Sequence, residues 1–234
     1  MPKAMVCVGG EPLIKHVIEK LKSAGTERIV VNVHHFATQI TDYLKENNYF
    51  NTDIRISDES DKLLDTGGGI KKAQDLFDKK SPILIHNVDI LSNVDLKTFY
   101  EAGISNNIDK ESTTADAVLL VSERKTKRYL LFENSMRLVG WTNIETGEVR
   151  SPYPNLNPKD CKMYAFAGIH TISPRLFEMM DEDFPDKFGI IDFYLKACKD
   201  HIIKGYVKED LKLLDVGKLD TLKEAEDFVQ TRES

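Results

Sequence analysis

The sequence has few cysteines, no excess of positive charge and no long apolar run, and each absence excludes a class of protein. Its three cysteines, Cys7, Cys161 and Cys198, lie far apart without zinc-ligand spacing, which argues against a disulfide framework and indicates a reducing compartment. Lysine and arginine total 32 against 38 acidic residues, a net charge of −6, which disfavours nucleic acid or an anionic membrane as main partner. No apolar run approaches the roughly 18 residues of a membrane span, and no signal-peptide core is present. These absences predict a soluble, cytoplasmic protein.

Helix and strand patterns alternate in the first half of the chain. Apolar residues recur at helical spacing from Glu11 to Ala24, and a β-branched run covers Arg28 to Val33. Asp53 to Asp58 alternates as a strand does, and Pro82 to Leu91 is a continuous apolar stretch. Such alternation with short connections predicts an α/β fold with a Rossmann-like, mostly parallel mixed sheet and helices on both faces.

The pattern changes after about residue 112. Short strand-like runs follow one another with turns at 133–135 and 146–147, which predicts a small antiparallel insert. Helical patterns at 174–180 and 189–200, two further strands and an amphipathic helix at 218–232 complete the chain. The 234 residues fit a single domain, 1–234, in two halves of about 1–111 and 112–234.

A run of three glycines stands out before a predicted helix, in the segment Asp65-Thr66-Gly67-Gly68-Gly69. Consecutive glycines let the backbone approach a ligand without Cβ clashes, and a helix N-terminus offers free N–H groups. The spacing matches neither a Walker loop nor a dinucleotide fingerprint. A flexible turn is the alternative.

Two aspartates follow apolar stretches in distant parts of the chain. Asp89 ends one predicted strand and Asp215 ends another. Ligands of open α/β sheets collect at the carboxyl ends of strands, and paired carboxylates there can hold Mg²⁺. Asp89 alone fits equally well a cap on a turn before Asn93, and two such carboxylates that converge would be worth more than either alone.

Other conspicuous side chains have simpler interpretations. His34 and His35 have no further ligand at metal-binding spacing, so a polar lining fits them better than a metal site. Tyr129 and Trp141 could stack on a sugar, although most aromatic residues in such strands are core. The pair Lys71-Lys72 is typical of a solvated helix face.

Five segments follow one another along nearly the whole chain: "PKAMVCVGGEPLIKHVIEKLKSAGTERIVVNV", "LLDTGGGI", "HNVDIL", "FAGIHTISPRLF" and "LLDVGKLDTLKEAE". Together, and in this order, they resemble the sugar-1-phosphate nucleotidyltransferase family, in particular its members that act on N-acetylmuramate, mannose or heptose 1-phosphate. The sequence departs from the family pattern at Val88, where relatives carry Gly, and at "VGWTN", where many carry "EKP".

The resemblance implies transfer of a nucleoside monophosphate from UTP or GTP to a sugar 1-phosphate, without a covalent nucleophile. It implies Mg²⁺ held by Asp89 and Asp215, with Lys3 as a cationic contact to phosphate. The implied nucleoside contacts are Asn32, His34, Asp65, Thr66, Gly67 and Gly68. The implied contacts to the sugar phosphate are Arg128, Tyr129, Trp141 and Gly168.

In the family, "PKA" ends a longer signature of the type "AAG.G.R..PLT", which binds the triphosphate and follows a first strand. The resemblance therefore predicts that the printed chain lacks that strand and loop, leaves strand edges exposed, and has low stability or associates into a homo-oligomer. It also predicts little transferase activity. A non-catalytic nucleotide-sugar binding or regulatory protein is the alternative, and a glycosyltransferase fits less well because "NVDIL" holds a single aspartate.

Overall fold

The computed structural model describes residues 1–104, 115–216 and 222–230. Its helices are α1 (Leu13–Ser23), α2 (Ala37–Glu46), α3 (Asp65–Lys72), α4 (Leu96–Ile104), α5 (Leu176–Asp183), α6 (Ile190–Ala197) and α7 (Leu222–Gln230). Its strands are β1 (Cys7–Val8), β2 (Glu11–Pro12), β3 (Arg28–Val33), β4 (Asp53–Asp58), β5 (Ile83–His86), β6 (Ile90–Ser92), β7 (Ala117–Ser122), β8 (Arg128–Phe132), β9 (Leu138–Asn143), β10 (Glu148–Arg150), β11 (Lys162–Ile172), β12 (Ile203–Val207) and β13 (Leu213–Asp215).

The largest sheet has seven strands and is organised around the long strand β11. Six of them follow the order β10-β9-β8-β11-β7-β12, and β5 pairs with β11 as well. The first residues of β11 pair with β8, and the rest pair with β7 and β5. The register shifts between Phe166 and His170, where Gly168 has a φ of 73°. One strand thus joins the antiparallel insert to the centre of the fold.

The predicted α/β class, with a mixed sheet and an antiparallel insert, is confirmed. Fewer strand pairs are parallel than the alternation of helix and strand predicted. Among the described strands, the parallel ladders are β3 with β4 and β7 with β12. The reason is that β11 runs antiparallel between β5 and β7.

Helices cover both faces of the large sheet, as predicted, because β7 is apolar on both sides. Leu119 and Val121 pack in one core cluster with residues of α5 and α6. Val118 and Leu120 pack in another cluster with residues of α1, α4 and β3. The sheet therefore separates two cores.

The predicted strand from Pro82 to Leu91 is wrong in one respect, because the structure divides it into β5 and β6. The break is a turn closed by the Ile90 N–H, which donates to the Asn87 carbonyl oxygen at 3.2 Å. Asp89 therefore lies in a turn between two strands and does not end one. The strands predicted at 28–33 and 53–58 have the predicted bounds. Of the last predicted helix, 218–232, residues 222–230 are helical, and 218–221 and 231–232 lie outside the described residues.

None of the helices in the described ranges is both long and apolar enough to cross a bilayer.

Candidate active site

The turn between β5 and β6 brings Lys3 and Asp89 together. The Lys3 Nζ lies 3.1 Å from Asp89 Oδ2, with side-chain exposures of 63% and 21%. Lys3 belongs to a short 3₁₀ turn, Lys3–Met5, whose Val6 N–H donates to the Lys3 carbonyl oxygen. Because Lys3 is exposed, a pair of this kind stabilises the fold little. The Lys3 ammonium is accessible to a charged ligand, and the Asp89 carboxylate is partly exposed.

Asp215 lies beside the same turn. Strand β13 pairs antiparallel with β6, so that Asp215 is opposite Ile90, and the Val216 N–H donates to the Asp89 carbonyl oxygen at 2.9 Å. Directly opposed residues of such a ladder have Cα atoms about 4.5–5.5 Å apart. The structure thus places the backbones of the two predicted metal ligands next to each other, although they are distant in sequence.

The donor set suits one kind of metal. The described residues contain no group of three or more histidine, cysteine or acidic side chains arranged to hold an ion. Mg²⁺ commonly uses one or two carboxylates and completes its coordination with water and substrate phosphates. The half-buried carboxylate of Asp89 and the exposed one of Asp215 fit such an ion, delivered with a nucleotide.

The three glycines lie inside α3, and the structure gives them another role than the predicted approach to a ligand. The N–H groups of Gly67 and Gly68 donate to the Phe188 carbonyl oxygen at 2.9 and 3.2 Å. A Cβ on Gly67 would overlap the Phe188 ring, and one on Gly68 would overlap the Asp186 carbonyl oxygen. The glycines therefore permit close packing of α3 on the segment before α6. Their prediction as nucleotide contacts through free N–H groups is corrected accordingly.

The two residues before the glycines also contact this segment. The Thr66 hydroxyl accepts a hydrogen bond from the Ile190 N–H at 3.0 Å and so holds the first turn of α6. This hydroxyl is engaged within the fold, which corrects the expectation that it faces the nucleoside. Asp65 is exposed, has a φ of 60° and lies 3.8 Å from Lys187. Of the predicted loop, Asp65 keeps an accessible carboxylate.

The carboxyl end of β3 carries the other predicted nucleoside contacts. Asn32 is exposed, and its side-chain amide donates to Glu59 Oε1. His34 stacks edge-on against His35 with ring centroids 4.1 Å apart, and its Nδ1 is buried without a hydrogen-bond partner among the described residues. Glu59 was missed by sequence reasoning, because "SDES" reads as an ordinary solvated turn.

A cavity of about 550 Å³ lies on the antiparallel insert and includes two of the predicted acceptor contacts, Arg128 and Trp141. Its floor is one face of β8, β9 and β10, where Leu130 is opposite Trp141 and Trp141 is opposite Arg150. The lining residues are Arg124, Thr126, Arg128, Leu130, Trp141, Asn143, Glu148, Arg150, Phe166, Ile191 and Asp192.

The three arginines of this cavity differ in their partners. Arg150 contacts Asp192 at 2.5 Å and Glu148 at 3.7 Å, so its charge is compensated. Arg124 donates to the Phe166 carbonyl oxygen at 3.2 Å, and neither it nor Arg128 has a carboxylate partner in the described part of the chain. Three arginines against the carboxylates of Glu148 and Asp192 leave the lining with one net positive charge, which suits an anion. Arg124 was missed because it sits in a charged loop without a motif.

Two predicted sugar contacts need correction. Trp141 is 8% exposed, and the Arg150 guanidinium lies 4.1 Å from its ring centroid. Trp141 therefore forms part of the floor and has one ring face already covered. Tyr129 lies on the strand face opposite to Arg128 and Leu130, because side chains alternate along β8. Its hydroxyl accepts from the Thr126 N–H at 3.0 Å, so it supports the loop and does not line the cavity.

Gly168 connects the cavity to the carboxylates. Its carbonyl oxygen accepts from the Asn87 N–H at 3.0 Å, and a Cβ on Gly168 would lie 2.9 Å from Asn87 Nδ2. Phe166 of the cavity wall lies two residues away on the same strand. Strand β11 therefore links the cavity wall to the turn that carries Asp89.

A lysine and two aspartates brought together around the turn after β5, with arginines lining a cavity on the same fold, favour the binding of phosphorylated small molecules. The particular group is shown by comparison with known proteins. The chain belongs to the nucleotidyl transferase family, whose sequence profile matches residues 1–232. The family predicted from the sequence is confirmed.

Two relatives are named N-acetylmuramate alpha-1-phosphate uridylyltransferase. The one from Caulobacter vibrioides is 42% identical over 90 residues, which cover 38% of this chain and 37% of that protein. The one from Neisseria meningitidis serogroup B is 34% identical over 104 residues, which cover 44% and 45%. The chain thus matches less than half the length of either relative.

The fold has solved counterparts. The crystal structure of HddC from Yersinia pseudotuberculosis, complexed with GMP-PN, aligns with a TM-score of 0.72 at 21% identity. The alignment covers 98% of this chain and 90% of that one. At this identity the likeness shows a shared fold.

Proposed function

We propose that this protein transfers a nucleoside monophosphate from UTP or GTP to a sugar 1-phosphate in the cytoplasm, releasing pyrophosphate and an NDP-sugar. The main observation in support of the proposal is that three residues from distant parts of the chain lie together. Lys3 pairs with Asp89, and the pairing of β13 with β6 brings Asp215 beside the same turn. Family membership supports the reaction class, and the arginine-lined cavity supports an anionic acceptor beside the carboxylates.

In the proposed reaction, a phosphate oxygen of the sugar 1-phosphate attacks the α-phosphorus of the NTP. A new P–O bond forms, the bond between the α-phosphorus and its bridging oxygen breaks, and pyrophosphate leaves. The protein contributes mainly position and charge neutralisation. Lys3 would contact phosphate, and its present partner Asp89 would become free to bind a cation. Mg²⁺ held by Asp89 and Asp215 would supply charge neutralisation for the phosphates.

The substrates would approach from two sides. Asn32, His34 and Asp65 are proposed on the nucleoside side, where β3 ends and α3 begins. Arg124, Arg128 and Gly168 are proposed on the acceptor side, with Trp141 as the floor of the cavity. The acceptor would extend along β11 towards the turn that carries Asp89.

Pyrophosphate release tests the proposal. A panel of NTPs and sugar 1-phosphates should give release only when one of each is present, and Asp89→Asn should lower the rate about 100-fold or more. Asp78→Asn, a change at an exposed turn carboxylate that accepts from the Lys80 N–H, is the matched control and should retain the rate. Absence of release with every pair, together with tight binding of an NDP-sugar, would instead support a binding or regulatory protein.

A second arm tests the acceptor cavity. Arg128→Gln should raise the KM for the sugar 1-phosphate roughly tenfold and leave the KM for the NTP unchanged, because a charge-assisted hydrogen bond to the acceptor is lost. Lys127→Gln is the control, since Lys127 pairs with Glu145 at 2.8 Å outside the cavity. A rise in the KM for the NTP instead would place Arg128 on the nucleotide side.

A further inference from the structure

Glu59 is an acidic residue that the proposed reaction does not use, yet it is only 3% exposed. Its N–H donates to the Val33 carbonyl oxygen at 2.7 Å, which fixes it to the end of β3. A buried carboxylate is costly unless its oxygens accept hydrogen bonds. Glu59 Oε2 accepts from the Leu64 N–H at 3.1 Å, and Oε1 accepts from the side-chain amide of Asn32.

The space around this pair is closed by α3. A Cβ on Gly69 would overlap the Asn32 amide nitrogen and would lie 2.5 Å from Glu59 Oε1. Glycine at position 69 therefore lets the helix rest directly on the Glu59–Asn32 pair. Through Leu64 and Gly69, one carboxylate contacts both the segment before α3 and the helix itself.

The chemistry of this contact fixes the orientation of the Asn32 amide. An ionised carboxylate only accepts hydrogen bonds, so Asn32 must turn its NH₂ group towards Glu59. The Asn32 carbonyl oxygen is then the free end of an exposed side chain, and no described residue donates to it. Asn32 is thereby presented to a ligand as a hydrogen-bond acceptor.

We propose that Glu59 is a positioning residue that holds Asn32 as an acceptor and so makes the site select bases with a ring N–H. Uracil and guanine carry such a group at N3 and N1, whereas the N3 of cytosine is an acceptor. This inference rests on the proposed function, in which Asn32 faces the nucleoside.

Glu59→Gln should reverse the selection because the two side chains have the same shape. If the glutamine oxygen keeps the Leu64 N–H, its NH₂ group faces Asn32. Asn32 must then rotate its amide to accept, which presents NH₂ to the ligand. The preference should move from a base that donates at this position towards cytosine.

Calorimetric titration with MgUTP and MgCTP measures this without requiring turnover. The wild-type chain should bind MgUTP roughly tenfold more tightly than MgCTP. In Glu59→Gln, the dissociation constant for MgCTP divided by that for MgUTP should fall to about one or below. Asp58→Asn is the matched control in the same turn. Its carboxylate accepts from the Ser60 N–H at 2.8 Å, and the ratio should stay as in wild type.

Each other result has a defined meaning. If Glu59→Gln weakens both nucleotides equally, Glu59 only supports the fold and the inference is overturned. Equal wild-type affinities for the two nucleotides overturn the inference but leave the proposed function standing. If the wild-type chain binds none of MgUTP, MgCTP and MgGTP, the proposed function is wrong and the inference, which rests on it, is wrong as well.

A measurement on the free protein checks the amide orientation alone. The NH₂ protons of Asn32 should exchange with solvent more slowly than those of Asn134, an exposed asparagine, and Glu59→Gln should remove most of this protection. Equal exchange at the two asparagines in the wild-type protein would contradict the proposed contact, whatever the nucleotide affinities.

Discussion

Strands β7 and β3 lie in different parts of the fold and differ in how completely they are paired and buried. β7 pairs with β11 on one side and β12 on the other, and all six of its residues are buried. β3 pairs with β4, and two of its six residues, Ile29 and Val33, are buried. Within the described residues, β3 has no second ladder, and β5 pairs with β11 alone.

The difference distinguishes strands that are stabilised by pairing on both sides from strands that have one unpaired edge. Unpaired strand edges expose N–H and C=O groups, and they lower local stability and favour association. The arginine-lined cavity rests mainly on β8 and β9, which are paired on both sides. Asn32 lies near the end of β3 and Asp89 in the turn after β5, and each of these two strands has one open edge among the described residues. The proposed nucleotide side is therefore built on the less protected strands.

Gly68→Val has the largest expected effect, because it breaks the packing of α3 on the segment before α6. The new side chain would overlap the Asp186 carbonyl oxygen, a backbone atom that cannot move aside locally. We expect a loss of more than about 3 kcal/mol in the free energy of unfolding, measured by urea denaturation.

Gly147→Ala is the matched control for this change. Gly147 has a φ of 73° and nothing within 4 Å of an added Cβ. The cost there should be conformational strain of about 1 kcal/mol. Equal losses for the two variants would show that α3 is not packed as described.

Amide hydrogen exchange compares the two strands directly. The N–H groups of β3 that point away from β4 should exchange about 100-fold faster than those of β7, because they lack a ladder partner. Mass spectrometry or NMR of the free chain can measure the difference. Protection of every β3 amide to the level of β7 would mean that its open edge is covered in solution, for example by a second copy.

Stability should also fall in mild acid because of His170, a buried residue of β11. Burial lowers the pKa of His170 to about 3 from its ordinary value of 6.5, and its Nδ1 lies 2.6 Å from the Tyr194 hydroxyl. The folded state holds the ring neutral, so the unfolded state binds an extra proton as the pH falls from 6.5 towards 3. We expect about 2 kcal/mol of stability to be lost between pH 7 and pH 5 from this group.

Urea denaturation at both pH values measures the loss, and His170→Gln should remove that part of the pH dependence. An unchanged slope in the variant would show that the ring of His170 is protonated in the fold or that other groups dominate.

Local patterns were sufficient to predict β3, β4, the antiparallel insert and the family. They failed where a role depends on residues far apart in the chain. The sequence around Gly67 and Gly68 does not predict that Phe188 and Asp186 pack on them. Likewise, an acidic residue in a turn gives no sign that it will be buried, so Glu59 was not found.

Two further misses have a geometric cause. The continuous apolar run at 82–91 hides the turn at Asn87, because Val88 and Ile90 are as apolar as strand residues. The face of β8 that lines the cavity depends on its register with β9, and that register determines that Arg128 lines the cavity and Tyr129 does not.

Binding of Mn²⁺ together with UTP, measured by electron paramagnetic resonance in place of Mg²⁺, tests the central claim that Asp89 and Asp215 act as one site. The variants Asp89→Asn, Asp215→Asn and the double variant should each weaken Mn²⁺–UTP binding, and the double variant should lose little more than either single one, because the two carboxylates share one ion. Asp78→Asn should match wild type. Losses that add independently, or a wild-type affinity in either single variant, would contradict a metal shared between the two aspartates.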